Sequence, residues 1–241
     1  MHVLGIILAR SDSTRLPGKV LLDLGQNFRM IDLVAARARR ATRLSALTLA
    51  TTTRTIDDEL AFHAEQRLGI RVFRGATDDV ASRALECAEE QGAAYYLRLN
   101  ADSPFPDPKL IDAGISLAES SNSDLVTNLL PRTYPYGTAV EIFRTAACRR
   151  VIDSFDETQR EHVSQFFYRH PERFQIQSMP ASPDPSMCTV RLTVDDPEDL
   201  RRVRHIILKL GPDAETADYE RIVEIWRGLE GSNESNPDRL D

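Results

Sequence analysis

The sequence predicts an α/β protein, a three-layer fold whose central sheet is mainly parallel and covered by helices on both faces. Three observations carry that prediction. Short apolar runs of strand length alternate with segments of helical periodicity through the first 120 residues; a strand-then-helix pattern resumes near residue 188; and 241 residues with 41% hydrophobic composition suffice for one large domain with a substantial core.

Taken in order, "VLGIILA" (3–9) reads as the first buried strand. In "MIDLVAARARRATR", Ile31, Val34, Ala35 and Ala38 fall at i, i+3, i+4 and i+7, which places them on one helix face. "ALTLATT" (46–52), "IRVFRG" (70–75) and "AAYYLRLN" (93–100) continue the strands, and 56–68, 78–91 and 107–119 favour helix. Such alternation implies right-handed crossovers, with ligands bound beyond the carboxyl ends of the strands. After Asn128 the regularity weakens. "LLPRTYPYGTAVEIF" mixes prolines and tyrosines with a strand, and "EHVSQFFYRHPERF" opens as helix before a turn, so an inserted lobe is expected at about 131–188. "CTVRLTVDDPEDLRRVRHIILKL" then supplies a strand and a helix with an apolar stripe at Leu200, Val203, Ile207 and Leu210, for which Asp196 and Pro197 suit the N-cap and first helical position. A last helix at about 215–229 completes a single domain, 1–230, and the polar tail 231–241 is expected to be disordered.

A net charge of −7 argues against nonspecific nucleic-acid binding and leaves room for a small cationic pocket that takes an anion. Cys87, Cys148 and Cys188 show neither zinc nor disulfide spacing, which fits a reducing cytoplasm. No membrane span or leader is read at the start, so a cytoplasmic protein without membrane contact is expected.

"RSDSTRLPGK" (10–19) leaves the first strand where phosphate binds in such folds. Arg10, Arg15 and Lys19 bring positive charge, Ser11, Ser13 and Thr14 bring hydroxyls, and Gly18 allows close backbone approach, a combination that suits a polyphosphate. It is not a Walker loop, because Ser13 stands in the place of the first glycine and Val20 follows Lys19; a solvated basic turn is the plainer alternative. Asp102 in "NADSP" and Asp195 in "TVDDPED" both follow strands and could hold Mg²⁺ with hard oxygen ligands. Either aspartate could instead be a turn former or helix cap.

"ARSDSTRLPGKV", "VFRGATDDVASR", "LRLNADSPFPDPKLID", "TNLLPRTYPYGTAVEIF", "REHV" and "TVDDPED" together resemble the spore coat polysaccharide type of cytidylyltransferase, related to the acylneuraminate and ketodeoxyoctonate enzymes. The resemblance implies a nucleotide-diphospho-sugar transferase (GT-A type) fold, Mg²⁺ dependence, and transfer of CMP from CTP to a sugar acid or similar acidic acceptor with release of pyrophosphate. It carries phosphate contacts to Arg10, Ser11, Arg15 and Lys19, and metal ligation to Asp102 and Asp195; Thr14 and Gly18 belong to the same loop. Arg74 would border the nucleotide, and Asn100 would reach base or ribose or make a structural hydrogen bond. Asp79 and Arg83 are either ligand contacts or an i, i+4 helix pair.

Acceptor recognition would fall to Tyr134, Tyr136, Glu141, Arg160, Glu161 and His162, with His162 either a general base or structural. The aromatic residues of the lobe suggest a homodimer contact or a private small core. Three departures stand out: Asp12 where glycine is usual, and Ala101 and Ser103 in place of the glycine and cysteine that flank the metal aspartate. The other readings are a sugar-phosphate nucleotidyltransferase or glycosyltransferase of the same fold, and a non-catalytic nucleotide-binding protein.

Overall fold

The computed structural model describes residues 1–234, with side chains as far as Leu229. The expected alternation is present. β1 (Val3–Leu8) leads to the small hairpin β2 (Asp23–Gly25) and β3 (Phe28–Arg29), then α1 (Met30–Ala38), β4 (Ala46–Thr52), α2 (Asp58–Gln66), β5 (Arg71–Gly75), α3 (Val80–Glu90), β6 (Tyr95–Asn100) and α4 (Pro108–Ser121). The second half holds β7 (Leu125–Thr127), β8 (Glu141–Arg144), α5 (Thr145–Arg149), α6 (Glu157–Glu161), α7 (Ser164–Arg169), β9 (Ile176–Ser178), α8 (Pro197–Leu210) and α9 (Tyr219–Glu234).

The main sheet has the order β5-β4-β1-β6-β8-β7-β9, and β8 alone runs against the others. β1 is apolar throughout because it pairs on both sides and is covered on both faces. Val3 and Ile7 pack into one core with α1, α4, α8 and α9, whereas Leu4, Ile6 and Leu8 pack into the other with α3, α5 and α7. The stripe of Leu200, Val203, Ile207 and Leu210 is buried as expected, and Asp196 caps α8 by accepting from the Glu198 and Asp199 amides. Arg37, fully buried in α1, donates to the carbonyls of Pro106, Ala214 and Ala217 and so ties α1 to the approach to α4 and to the connection between α8 and α9.

Three expectations are corrected. The segment 131–188 is no separate lobe at its core, because β8 and β9 complete the main sheet and α5 and α7 cover it. Its aromatic residues mostly turn inward: Phe166 and Phe167 pack with Phe143, Phe155 and Phe174, and Tyr134 packs edge-on against Tyr219. "CTVRLTV" is not a strand of the sheet; a short 3-10 turn (Pro185–Thr189) leads into an extended run that touches Tyr136 through one isolated bridge at Arg191. The last helix reaches Glu234, so 231–234 are helical, and the remainder of the expected tail, 235–241, lies outside the described residues.

Glu141, expected to meet the acceptor, is only 1% exposed. Its carboxylate accepts from Arg98 of the neighbouring strand (Nε, 3.0 Å) and from the Tyr168 hydroxyl (2.6 Å). Burial alone would raise its pKa, but the charge of Arg98 together with hydrogen bonds from Tyr168, Arg98 and Ser164 outweighs that and holds the carboxyl below the ordinary range. Because the folded value is lowered, the stabilisation is complete above the ordinary carboxylate pKa and is lost as pH falls through the folded value. Glu141→Gln should therefore cost about 3 to 5 kcal/mol in urea unfolding at neutral pH, since it strands a buried guanidinium, and should flatten the acid limb of the stability profile. A cost below about 1 kcal/mol would show that Arg98 finds water instead.

Candidate nucleotide-binding site

The loop after β1 is shaped by its own backbone. The Gly18 amide donates to the Ser11 carbonyl at 2.9 Å, and Gly18 sits at φ +66°, where a side chain would be strained. The turn delivers Lys19 to the first position of a 3-10 turn, Lys19–Leu21. Across the sheet edge, Asp57 accepts from the Ser11 amide at 2.7 Å and from the Thr52 hydroxyl, although it is itself fully buried. Sequence reasoning passed over Asp57, and nothing in "TTTRTIDD" marks it as a loop anchor.

Lys19 is the centre of the site. Its ammonium donates to Asp102 Oδ2 at 2.8 Å, to the Val194 carbonyl at 3.0 Å and to Asp195 Oδ1 at 3.3 Å. The extended run before Asp195 is placed by the Val194 amide, which donates to the Asp102 carbonyl at 2.8 Å. Asp195 also meets Arg15 at 2.8 Å and Arg191 at 3.7 Å. Because Asp196 caps α8, the carboxylate of Asp195 is left for this cluster, which answers the capping alternative. Two carboxylates that converge on one cation from opposite segments, both with hard oxygen donors, fit Mg²⁺. No group of three or more His, Cys, Asp or Glu side chains suited to a metal occurs among the described residues, so the other ligands would be water and phosphate oxygens.

Around this cluster lies a cavity of about 420 Å³ at the carboxyl edge of β1 and β6. Of the residues expected at the site, Arg10, Thr14, Arg15, Lys19, Asn100, Asp102, Glu161, His162 and Asp195 line it. Ser11 and Gly18 shape the loop rather than the wall. Arg74 is turned to the Thr52 and Arg54 carbonyls and to Asp58, and Arg160 pairs with Asp79 beside a second, acidic cavity. Tyr134 donates to the Pro180 carbonyl, and Tyr136 stands outside the cavity wall.

The side chains of Asp79 and Arg83 do not hydrogen-bond each other; the two residues meet only through the helical bond from the Arg83 amide to the Asp79 carbonyl at 3.0 Å. Asp79 caps α3 through the Ser82 amide, whereas Arg83 donates to the carbonyls of Ala76 and Thr77. Arg83 lines the cavity while only 2% exposed, with no hydrogen-bond partner for its Nε; burial pushes its pKa down to about 10. Arg98, which sequence reasoning passed over, also reaches the cavity.

The departures prove mild in this setting. Asp12 is held by Arg54 at 2.6 Å and Arg10 at 3.3 Å, and the Arg54 hydrogen bond keeps its carboxyl below the ordinary range, so its charge is neutralised within the loop. Ala101 is not among the residues with positive φ, so the backbone there does not require glycine. Ser103 donates to Asp102 at 3.2 Å.

A mainly parallel α/β sheet with a cationic loop after its first strand and paired aspartates at its carboxyl edge defines a nucleotidyltransferase. The sequence profile described as "Cytidylyltransferase" matches residues 4–227, and the chain belongs to that family. It is 31% identical to the spore coat polysaccharide biosynthesis protein SpsF of Bacillus subtilis over 98% of this chain and 99% of that protein. It is 36% identical to the 3-deoxy-manno-octulosonate cytidylyltransferase of Solibacter usitatus over 47% of this chain and 43% of that one. The solved structure of a cytidylyltransferase from Leptospira borgpetersenii superposes with a TM-score of 0.88 at 26% identity, covering 96% of both chains.

Asp57→Ala should free the Ser11 amide and loosen the loop 10–19. We expect a stability loss of about 1 to 3 kcal/mol and faster hydrogen exchange confined to the loop and the start of α2. Exchange at Ser11 that matches wild type would remove Asp57 as the anchor.

Proposed function

We propose that this enzyme transfers CMP from CTP to a small acidic acceptor and releases pyrophosphate, with Mg²⁺ held by Asp102 and Asp195. The observation that carries the proposal is the ammonium of Lys19 between those two carboxylates, at the mouth of a cavity that also holds Arg10 and Arg15. Four functions fall to residues of this chain. Lys19 and Arg15 would neutralise triphosphate oxygens, Arg10 would flank them, and Gly18 would let the backbone approach. Asn100, which lines the cavity at the end of β6, would offer its amide to base or ribose.

A hydroxyl oxygen of the acceptor would attack the α-phosphorus and give up its proton to solvent; the bond from phosphorus to the bridging oxygen of pyrophosphate breaks, and that leaving group carries the electron pair away. The metal, when bound, would offset charge on the phosphate oxygens. The protein's share is positioning and electrostatics: the turn at Gly18 fixes the cations on one side, and the Val194 to Asp102 backbone bond fixes the aspartates on the other. Glu161 and His162 line the same cavity at the end of α6 and would border the reacting groups.

Asp102→Asn and Asp195→Asn should each remove most divalent-dependent pyrophosphate release, and the double variant should be hardly worse than either, because groups that serve one cation act as a unit. The same assay run with CTP, UTP, ATP and GTP against sugar acids should favour CTP. Near-normal turnover in Asp195→Asn at limiting Mg²⁺ would refute the paired site, and pyrophosphate release only from UTP, or only when a sugar phosphate is the acceptor, would reassign the enzyme to another nucleotidyltransferase type.

A further inference from the structure

We infer that Arg132, Tyr136 and Arg191 form the acceptor subsite, and that it grips a carboxylate on the acceptor; the inference rests on the CMP-transfer reading above. The guanidinium carbons of Arg132 and Arg191 lie 4.1 and 5.1 Å from the centre of the Tyr136 ring, and the tyrosine is 36% exposed. The arrangement is built into the backbone. The Tyr136 amide donates to the Val190 carbonyl at 2.9 Å and the Leu192 amide to the Tyr136 carbonyl at 2.8 Å. Gly137 makes this approach feasible: it sits at φ +99°, and a Cβ there would lie 3.1 Å from the Leu192 carbonyl carbon.

The ladder starts at the reaction centre, since Arg191 reaches to 3.7 Å from Asp195. Charge balance points the same way. Lys19, Arg15 and Arg191 share the two carboxylates Asp102 and Asp195, and Arg132 makes no ion pair among the described residues, so the cluster carries more positive than negative charge. Triphosphate oxygens would engage Lys19 and Arg15. Arg191 and Arg132 are then left for a second anion, and contact with the Tyr136 ring already restrains both side chains, which lowers the entropy lost when a carboxylate is taken. By contrast, the cavity beyond Glu161 is lined by Asp78, Asp79, Glu157 and Glu161 with Arg160, and would repel an anionic acceptor.

The test is calorimetric, with Mg²⁺ and the α,β-methylene analogue of CTP present throughout. The probes are 3-deoxy-manno-octulosonate, N-acetylneuraminate, the methyl ester of each, and glucosamine; the variants are Arg132→Met, Arg191→Met and Tyr136→Leu, with melting curves to verify folding. At least one free acid should bind wild type at least tenfold more tightly than its ester. Each arginine variant should weaken that acid at least tenfold while changing affinity for the CTP analogue less than threefold. Loss of CTP-analogue binding in wild type would bring down the transfer reading itself. If the analogue binds but no acid does, if acid and ester bind alike, if the variants lose the nucleotide equally, or if glucosamine binds in place of the acids, the subsite is refuted and the transfer reading stands.

Discussion

The ammonium of Lys19, shared among Asp102, Asp195 and the Val194 carbonyl, is the contact on which the rest of the site depends. It joins residues 83 and 176 positions away in sequence, so the first strand's loop, the fourth parallel-type strand's exit and the run before α8 meet at one point. Only 13% of the lysine side chain is exposed, and a cation that far out of water needs anionic partners close by. The carboxylates in turn would repel each other without it. The site therefore holds its shape through a charge balance that any arriving cation or polyphosphate must take over.

The same logic extends outward from the centre. Asp12 might have been expected to spoil a phosphate loop, yet its ties to Arg54 and Arg10 turn it into a brace for that loop. Asp57 does for the backbone what Asp12 does for the side chains, and the two together hold residues 11 and 12 against the start of α2. Below the cavity, Arg98 is balanced by Glu141, whereas Arg83 has burial without a carboxylate hydrogen-bonded to it. The interior wall is thus left short of negative charge, which suits an anionic nucleotide.

How much of this was legible in the sequence depends on what each element needs. β1, β4 and most of β6 were legible because buried strands read as short, largely apolar runs, whereas β5 is a partly exposed edge strand recognised by its place in the alternation. The run 188–194 misled because Val190, Leu192 and Val194 do alternate inward and are buried, but burial with period two does not require a sheet neighbour. Glu141 misled for a different reason: the register that sets Leu97 opposite Ile142 and Arg98 next to Glu141 is a tertiary fact with no local trace. The cationic loop and both aspartates were legible as a candidate site, because charged residues that follow apolar strands gather at the carboxyl edge of the sheet. Their sharing of one lysine was not, because it depends on how α8's approach is folded back against β6.

The single reversed strand has a consequence for how such a protein can diversify. Because β8 runs against β6 and β7, the chain leaves β7 and enters β8 at the same edge of the sheet, the edge that carries the loop 10–19 and Asp102. Residues 128–140 therefore rise from the working edge and return to it without crossing the sheet. A stretch anchored at both ends to the same rim can be lengthened, shortened or exchanged while every strand pairing beneath it persists. Lineages that share the strands beneath are free to trade this finger at little risk to the fold.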